Sequence, residues 1–354
     1  NRTCKMKTAR FFYPLFLILF CAATLAAQQQ TASTPKPSVF EALTTTEGVA
    51  LTLETDMVTC KNNRKTDQYF PGVLTSVDGR SYKVDVKTRG KFRRKMSEIP
   101  PLKIKFSKKE LNRFGLDTMN EIKLVLPFSF DKKSEDLLIR EYIAYRMWES
   151  LSPYSVRARL VQLTMKDVHL GTQQLIYCIL LEDKEETLAR MNGVLDETYD
   201  MGLDQFDGEQ LALTSLFEYM IGNTDWDLKG FRNVRLVRIA GREQVIPIPY
   251  DFDFSGLVNA PYATPSFESG KANVRQRFFM VNGLGQADFT AAVTKMQAAR
   301  ADLLALCDSP LLSKKSVTYM HKYLNNFYDN MPTCSDVQCM TEKATETVWN
   351  GSKK

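Results

Sequence analysis

The sequence predicts an α+β fold in which a β-rich first half leads into a helical last third. Alternation of apolar and polar residues with a period of two dominates the chain up to residue 181. Apolar residues at helical spacing take over from residue 209 and again from residue 288. There is no internal repeat, and strands followed by helices, not interleaved with them, point to α+β rather than α/β. With 44% hydrophobic and 25% charged residues, the chain has ample core for one large domain or two closely packed lobes. The net charge of +6 is mild, and basic residues are interleaved with acidic ones, so no nucleic-acid stripe is expected.

Taken in order, Lys7 and Arg10 precede an apolar block over residues 11–21 and small residues ending at Ala26 and Ala27. This pattern predicts a signal peptide over residues 1–27, with cleavage near Ala26 or Ala27. The block is shorter than the roughly 20 residues of a membrane span, so the mature chain is expected to be exported, periplasmic or extracellular, without a span. Bulky Phe20 argues against lipid modification of Cys21. Residues 28–38 lack a core-forming pattern and read as a disordered leader. A β-rich lobe is expected over residues 39–182 and a helical lobe over residues 183–354.

Within the first lobe, residues 39–58 and 72–86 alternate as strands, with a turn at Asp78-Gly79. A basic, glycine-containing turn follows at residues 88–95. Residues 100–106 and 121–126 are further strands, with Leu102, Ile104 and Phe106 on one face and Lys103 and Lys105 on the other. Residues 134–151 form a helix behind an acidic start capped by Ser134. Residues 157–165 and 174–181 pair around the turn that carries His169. Beyond them come helices at 209–221, 288–306 and 316–328 and a hairpin over 234–248.

Five cysteines follow the leader, and export permits disulfides. Cys334 and Cys339 flank a short loop that can close as one, while Cys178 in an apolar run reads as a buried thiol. No C-x-x-C pair occurs, and His169 and His321 are far apart, which speaks against a zinc site or a histidine-based triad.

The stretch over residues 221–256 holds the chemistry-bearing residues at closest spacing. Asn223, Asp225, Asp227 and Asn233 precede the hairpin, and Asp251 and Asp253 follow it. Oxygen donors at the ends of a hairpin suit a hard cation such as Mg²⁺, whose shell phosphate oxygens often complete. The same residue types also make ordinary turns. If the strand continues through Tyr250, Phe252 and Phe254, Asp251 and Asp253 point together to the opposite face and repel each other unless a cation intervenes. The basic turn with Arg89, Gly90, Arg93 and Arg94 can cradle phosphates or remain a solvated surface. Lys105 or Lys103 would then be the strand lysine, and Glu141 a carboxylate partner from the helix.

The ordered motifs R-G-K-F-R-R, P-P-L-K-I-K-F, L-L-I-R-E-Y, I-Y-C-I-L-L-E-D, G-N-T-D-W and I-P-I-P-Y-D-F-D-F-S-G resemble the spore-coat protein H (CotH) kinase-like family, in its exported bacterial members. The resemblance runs over about residues 39–277. It implies an atypical protein-kinase-like, two-lobed fold that uses ATP and Mg²⁺. It also implies that Lys105, with Lys103 second, contacts phosphate, that Glu141 pairs with that lysine, and that Glu182 lies at the interlobe hinge near the adenine. Asp225 would be the general base, with Asp227 the other choice; Asn233 and Asp251 would hold Mg²⁺, with Asp253 nearby. Two departures stand out. Asp225 and Asn233 are eight apart and Asp227 and Asn233 six, against five in the protein-kinase catalytic loop, and no G-x-G-x-x-G loop is present.

The function so implied is an exported Mg²⁺- and ATP-dependent phosphotransferase acting on a protein or another hydroxyl acceptor. Its alternatives are a catalytically inactive kinase-like envelope or surface binding protein, and a carbohydrate- or Ca²⁺-binding envelope protein. Asn259, Arg275 and Arg277 would bind an acidic acceptor or form a structural strap.

Overall fold

A computed structural model describes residues 36–45 and 48–339, together with Asn1 and Thr3. Apart from Asn1 and Thr3, the expected signal peptide lies outside the described residues, as does most of the expected leader. Residues 36–38, at the end of that leader, are ordered: Ser38 caps the first helix, and the Pro37 carbonyl accepts the Asp117 amide at 2.9 Å.

The elements follow in the order α1 (Val39–Leu43), β1 (Ala50–Thr55), α2 (Met57–Asn62), β2 (Phe70–Thr75), β3 (Ser81–Thr88), α3 (Phe92–Met96) and β4 (Leu102–Phe106). Next come α4 (Lys108–Arg113), β5 (Glu121–Val125), α5 (Lys132–Leu151), β6 (Ala158–Asp167), β7 (Thr172–Leu181), α6 (Lys184–Arg190), β8 (Gly193–Leu195) and α7 (Gly208–Ile221). The chain ends with β9 (Val234–Ile239), β10 (Val245–Pro249), α8 (Gln286–Ala298), α9 (Arg300–Leu306) and α10 (Lys314–Asp329). Helices and strands are mixed as the composition and periodicity predict.

Several stretches differ from the expected elements: α2, α4 and β8 are not among them, and the helix expected over 288–306 is two helices, α8 and α9. Residues 39–43 are helical rather than extended, because Ser38 and Glu41 form a reciprocal capping box that satisfies the free amides of a first turn. The basic turn is shorter than expected, since α3 starts at Phe92 and carries Arg93 and Arg94 on a helix. Helix α5 begins at Lys132 with Asp131, not Ser134, as its cap.

The first seven strands do not remain an open sheet. They close into a barrel in the order β1-β2-β3-β4-β5-β7-β6, sealed by parallel pairing of β6 with β1. Closure removes the unpaired edges that an open sheet would present. Leu51, Leu74, Val84, Ile104, Leu124, Leu163 and Leu180 fill its interior. The end of β7, residues 178–181, is buried on both faces, because α5 packs over its outer side and that of β6 through Leu160, Ile179 and Leu181. That double burial explains why residues 178–181 read as a continuous apolar run instead of an alternating one.

A second core gathers α5, α7, α8, α10 and the small sheet β10-β9-β8 around Trp148, Phe217 and Phe252. Phe252 stacks edge-on against both Tyr145 (4.8 Å) and Phe217 (5.5 Å). Helix α5 belongs to this second core, packs against β6 and β7, and carries Glu141 and Tyr145. Cys334 and Cys339 form the expected disulfide, with Cα atoms 5.1 Å apart, and Cys178 is a buried free thiol. Among the described residues, no helix is long and apolar enough to cross a membrane.

Candidate functional site

Strand alternation sends Ile122 and Leu124 into the barrel and Lys123 outward, toward the second core. The Lys123 ammonium meets Asp183, the N-cap of α6, at 3.0 Å. Arg89 extends β3 by one pairing, its amide donating to the Pro101 carbonyl at 2.8 Å. Arg235 on β9 donates to the Thr187 hydroxyl at 3.0 Å and lies over the Tyr250 ring, 5.0 Å from its centre. With Tyr145, Glu182, Phe231 and Tyr250, these three cations line a cavity of about 650 Å³.

The charged lining of the cavity is mixed: Arg89, Lys123, Lys184 and Arg235 stand with Glu182, Asp196 and Glu197. Burial pulls the Lys123 ammonium down to about 8; Asp183 opposes that fall, and Arg235 and Arg89 deepen it. Burial acts on Asp183 to raise its carboxyl, but Lys123 overcomes it and holds the group below its usual range. Three cations sharing one partly buried wall repel one another, and an anion between them relieves the repulsion.

At the rim of this cavity the two loops with acidic residues come together. The Asn233 side-chain amide donates to the Asp225 backbone carbonyl (2.7 Å) and to its carboxylate (3.0 Å). The Asp225 amide donates to the buried Asn223 side chain at 3.0 Å. The Asp251 amide donates to the Tyr145 hydroxyl at 2.9 Å. Phe231, Asn233 and Asp251 all adopt left-handed backbone, with φ of 55°, 53° and 68°. Such strain at non-glycine residues clusters at functional sites, held there by surrounding structure. Here that structure includes paired backbones: the Gly256 amide donates to Gly222 at 3.0 Å and the Leu257 amide to Ile221 at 2.8 Å. Only glycine fits position 256, where a Cβ would come within 2.3 Å of both the Tyr323 hydroxyl and the Val274 carbonyl.

Burial raises the Asp225 carboxyl, Arg232 lowers it, and Asp251 raises it further. Asp225 and Asp251 therefore feel each other electrostatically. Among the described residues, no three His, Cys, Asp or Glu side chains converge as a self-sufficient cation cage. The Asp251 carboxylate and the Asn233 side-chain oxygen fit Mg²⁺, which takes few protein ligands and completes its shell from phosphate and water.

The other residues singled out in the sequence are placed differently. Strand β10 ends at Pro249, and the left-handed turn at Asp251 breaks the expected alternation. Asp253 therefore does not lie beside Asp251 on one strand face; it is buried and accepts the Tyr262 hydroxyl at 3.0 Å. Lys105 does not meet Glu141. It is exposed on the barrel, where its ammonium lies 5.8 Å from the Tyr69 ring centre. Lys103 pairs with Glu121. The cation at Glu141 is Arg93, at 3.1 Å, and Arg93 is buried instead of lying in an open phosphate cradle.

Glu182 lines the cavity, but its carboxylate is already bound by Arg157 and Arg190, each at 2.9 Å, and by Thr187 at 3.2 Å. It braces the wall and has no spare acceptor capacity for a base. Asp227 accepts the Lys229 (3.2 Å) and Gly230 (2.7 Å) amides and shapes its own turn. Arg277 binds the Met220 and Tyr323 carbonyls, which makes it a strap.

Lys123, Arg235 and Tyr145 were not singled out from the sequence. Lys123 is one more polar position on an alternating strand, and only barrel closure turns it toward the second core. A larger concavity of about 1470 Å³ lies between α8 and the residues before α7. Apolar residues and glycines dominate its lining, and no converging cations mark it.

No protein-family model matches the chain, and no curated protein matches it. Among solved structures, the crystal structure of the Helicobacter pylori proinflammatory kinase CtkA is 10% identical, with a TM-score of 0.35. That similarity covers 64% of this chain and 92% of that one. A likeness of this size carries no argument about fold or chemistry, and the reading of the site rests on its own residues.

Proposed function

We propose that the chain is an exported Mg²⁺- and ATP-dependent phosphotransferase, atypical kinase-like and two-lobed, acting on a protein or another hydroxyl acceptor. The observation that supports it most is the meeting of Asp225, Asn233 and Asp251 at the rim of a cavity lined by Arg89, Lys123 and Arg235. A polyanion with a bound divalent cation matches both halves of that site.

In this reading Arg89 and Lys123 bind the phosphate chain, taking the role first expected of Lys105 and Lys103. Asp251 and Asn233 would hold Mg²⁺, which when bound neutralises charge on the transferring phosphoryl oxygens. Asp225, fixed by Asn233 and Arg232, orients the acceptor hydroxyl and takes its proton as the oxygen–phosphorus bond forms and the bond to the leaving diphosphate breaks. The protein contributes chiefly position and charge.

Thermal-shift measurements on the processed chain test this. ATP with Mg²⁺ should raise the melting temperature more than either alone, as a ligand that binds only the folded state must. No shift with ATP and any divalent cation would end the phosphotransferase reading.

A further inference from the structure

Arg93 is the most heavily committed cation near the site. It is 8% exposed on α3, and its guanidinium reaches three separate segments. One terminal nitrogen meets Glu141 on α5 at 3.1 Å and Asp253 at 4.0 Å; the other donates to the Leu126 carbonyl after β5. Tyr262 closes the cluster by donating to Asp253 at 3.0 Å. Phe92, Phe128 and Phe254 wall it off, each ring within 4.8–5.7 Å of Tyr262.

Each tie leads to a residue of the cavity or its rim. Helix α3 begins three residues after Arg89. Glu141 sits one helical turn before Tyr145, whose hydroxyl accepts the Asp251 amide. Asp253 is two residues after Asp251. The Arg93 Nε and Glu141 Oε1 atoms have no hydrogen-bond partner, so the two terminal nitrogens alone carry the polar geometry. A lysine has one nitrogen and no planar fork, and cannot make these contacts together.

We propose that Arg93 is a positioning residue that locks the Arg89 turn to the Asp251 loop, so that binding of a nucleotide's phosphates and binding of Mg²⁺ reinforce each other. This rests on the phosphotransferase reading and adds to it a physical link between its anion and cation halves. Coupling of that kind is a free energy shared between two sites and is reciprocal.

The test compares wild type, Arg93→Lys, Glu141→Gln and, as a control on the same helix, Arg94→Lys, whose wild-type side chain ties, among the described residues, to residues 64–67. Titration calorimetry gives ATP affinity with and without Mg²⁺. Arg93→Lys should cut the Mg²⁺-dependent gain in affinity by about tenfold or more, the loss that outer-shell partners of metal sites show. Mg²⁺-free affinity, carried by Arg89 and Lys123, should stay within about twofold of wild type by the same reasoning, because neither side chain is removed. Hydrogen exchange on the ligand-free proteins should quicken at residues 88–92 and 250–255 in Arg93→Lys and not in Arg94→Lys. Should Arg93→Lys fail to fold, Glu141→Gln removes the charge while keeping the shape and is read in the same way. An unchanged Mg²⁺ gain, equal losses with and without Mg²⁺, or unchanged exchange at both segments would each overturn the proposal. Failure of wild type to bind ATP under any condition defeats the phosphotransferase reading instead, and the exchange result still judges the lock.

Discussion

Asp251 and Asp225 hold different places in the site, and their variants should separate. Asp251 is tied to the protein only through its backbone in the described contacts, its amide donating to Tyr145, which leaves the carboxylate for a cation. Asp225 is held by Asn233 and Arg232, and the proposed reading gives it the acceptor hydroxyl. Asp251→Ala should abolish Mg²⁺-dependent nucleotide binding together with transfer. Asp225→Asn should keep nucleotide binding and lose transfer, because a base is needed only when the acceptor reacts. Calorimetry with a phosphate-release or phosphopeptide assay distinguishes the two; equal loss of binding in both variants would contradict the assignment. Lys123 offers a second outcome at this scale. Its ammonium is pulled down to about 8 by burial, and Asp183 is the group that opposes the fall. Asp183→Asn should lower it further, so a larger share is neutral near pH 8 and affinity for inorganic pyrophosphate or ATP drops. In wild type the same affinity should decline as pH rises from 7 to 9, measured at constant ionic strength, and a flat profile would exclude Lys123 as a phosphate ligand.

Helix α1 shows how an element of five residues can be held by charge more than by length. Ser38 donates to Glu186 at 2.5 Å, and Arg157 bridges Glu41 (3.0 Å) on α1, Glu182 (2.9 Å) just after β7 and Glu186 (2.8 Å) on α6. Phe40 and Leu43 plug the barrel beneath. Burial raises the Glu186 carboxyl to about 7; Ser38 opposes this and Glu182 adds to it. A carboxyl raised in the folded state keeps its proton there after the unfolded chain has lost it. Its contribution is therefore full below about 4.5 and is lost as pH rises through about 7. Glu186→Gln, which does not titrate, should be unaffected by this loss. Urea unfolding of both proteins at pH 5 and pH 7.5 should show the variant gaining on wild type at the higher pH. A constant difference between them would mean that Glu186 is not buried as an acid.

At the scale of the whole molecule, one aromatic chain joins the second core to the site. Trp148, Phe217, Phe252 and Tyr145 stack in succession at 5.0, 5.5 and 4.8 Å, and Phe252 directly follows Asp251. Phe252→Ala should cost about 3–5 kcal/mol, the usual loss for a fully buried ring. Because it also frees the turn at Asp251, Mg²⁺-dependent ligand binding should fall by more than overall stability explains, and chemical denaturation beside calorimetry at 15 °C measures both. A variant that is destabilised yet binds normally would show that the core does not set the loop.

The sequence by itself determined most of the barrel strands, the long helices to within a turn and the disulfide, while the short helices α1 to α4 escaped it. Period-two alternation, capping residues and short cysteine spacing are local signals that tertiary context here left standing. It also located Asp225, Asn233 and Asp251, because oxygen donors crowd into one short stretch around a hairpin. Only the tertiary structure decided which cations face them. Alternation says that Lys103, Lys105 and Lys123 share the outer side of their strands, and nothing local says which part of that side meets the second core. Barrel closure turns Lys123 to the cavity and leaves Lys105 in solvent. The partner of Glu141 was equally hidden: Arg93 reaches it because α3 folds back beside α5, a contact across 48 residues that no periodicity encodes. Asp253 was misplaced for a related reason, since β10 ends at Pro249 and the left-handed turn at Asp251 stops the alternation on which its face was assigned.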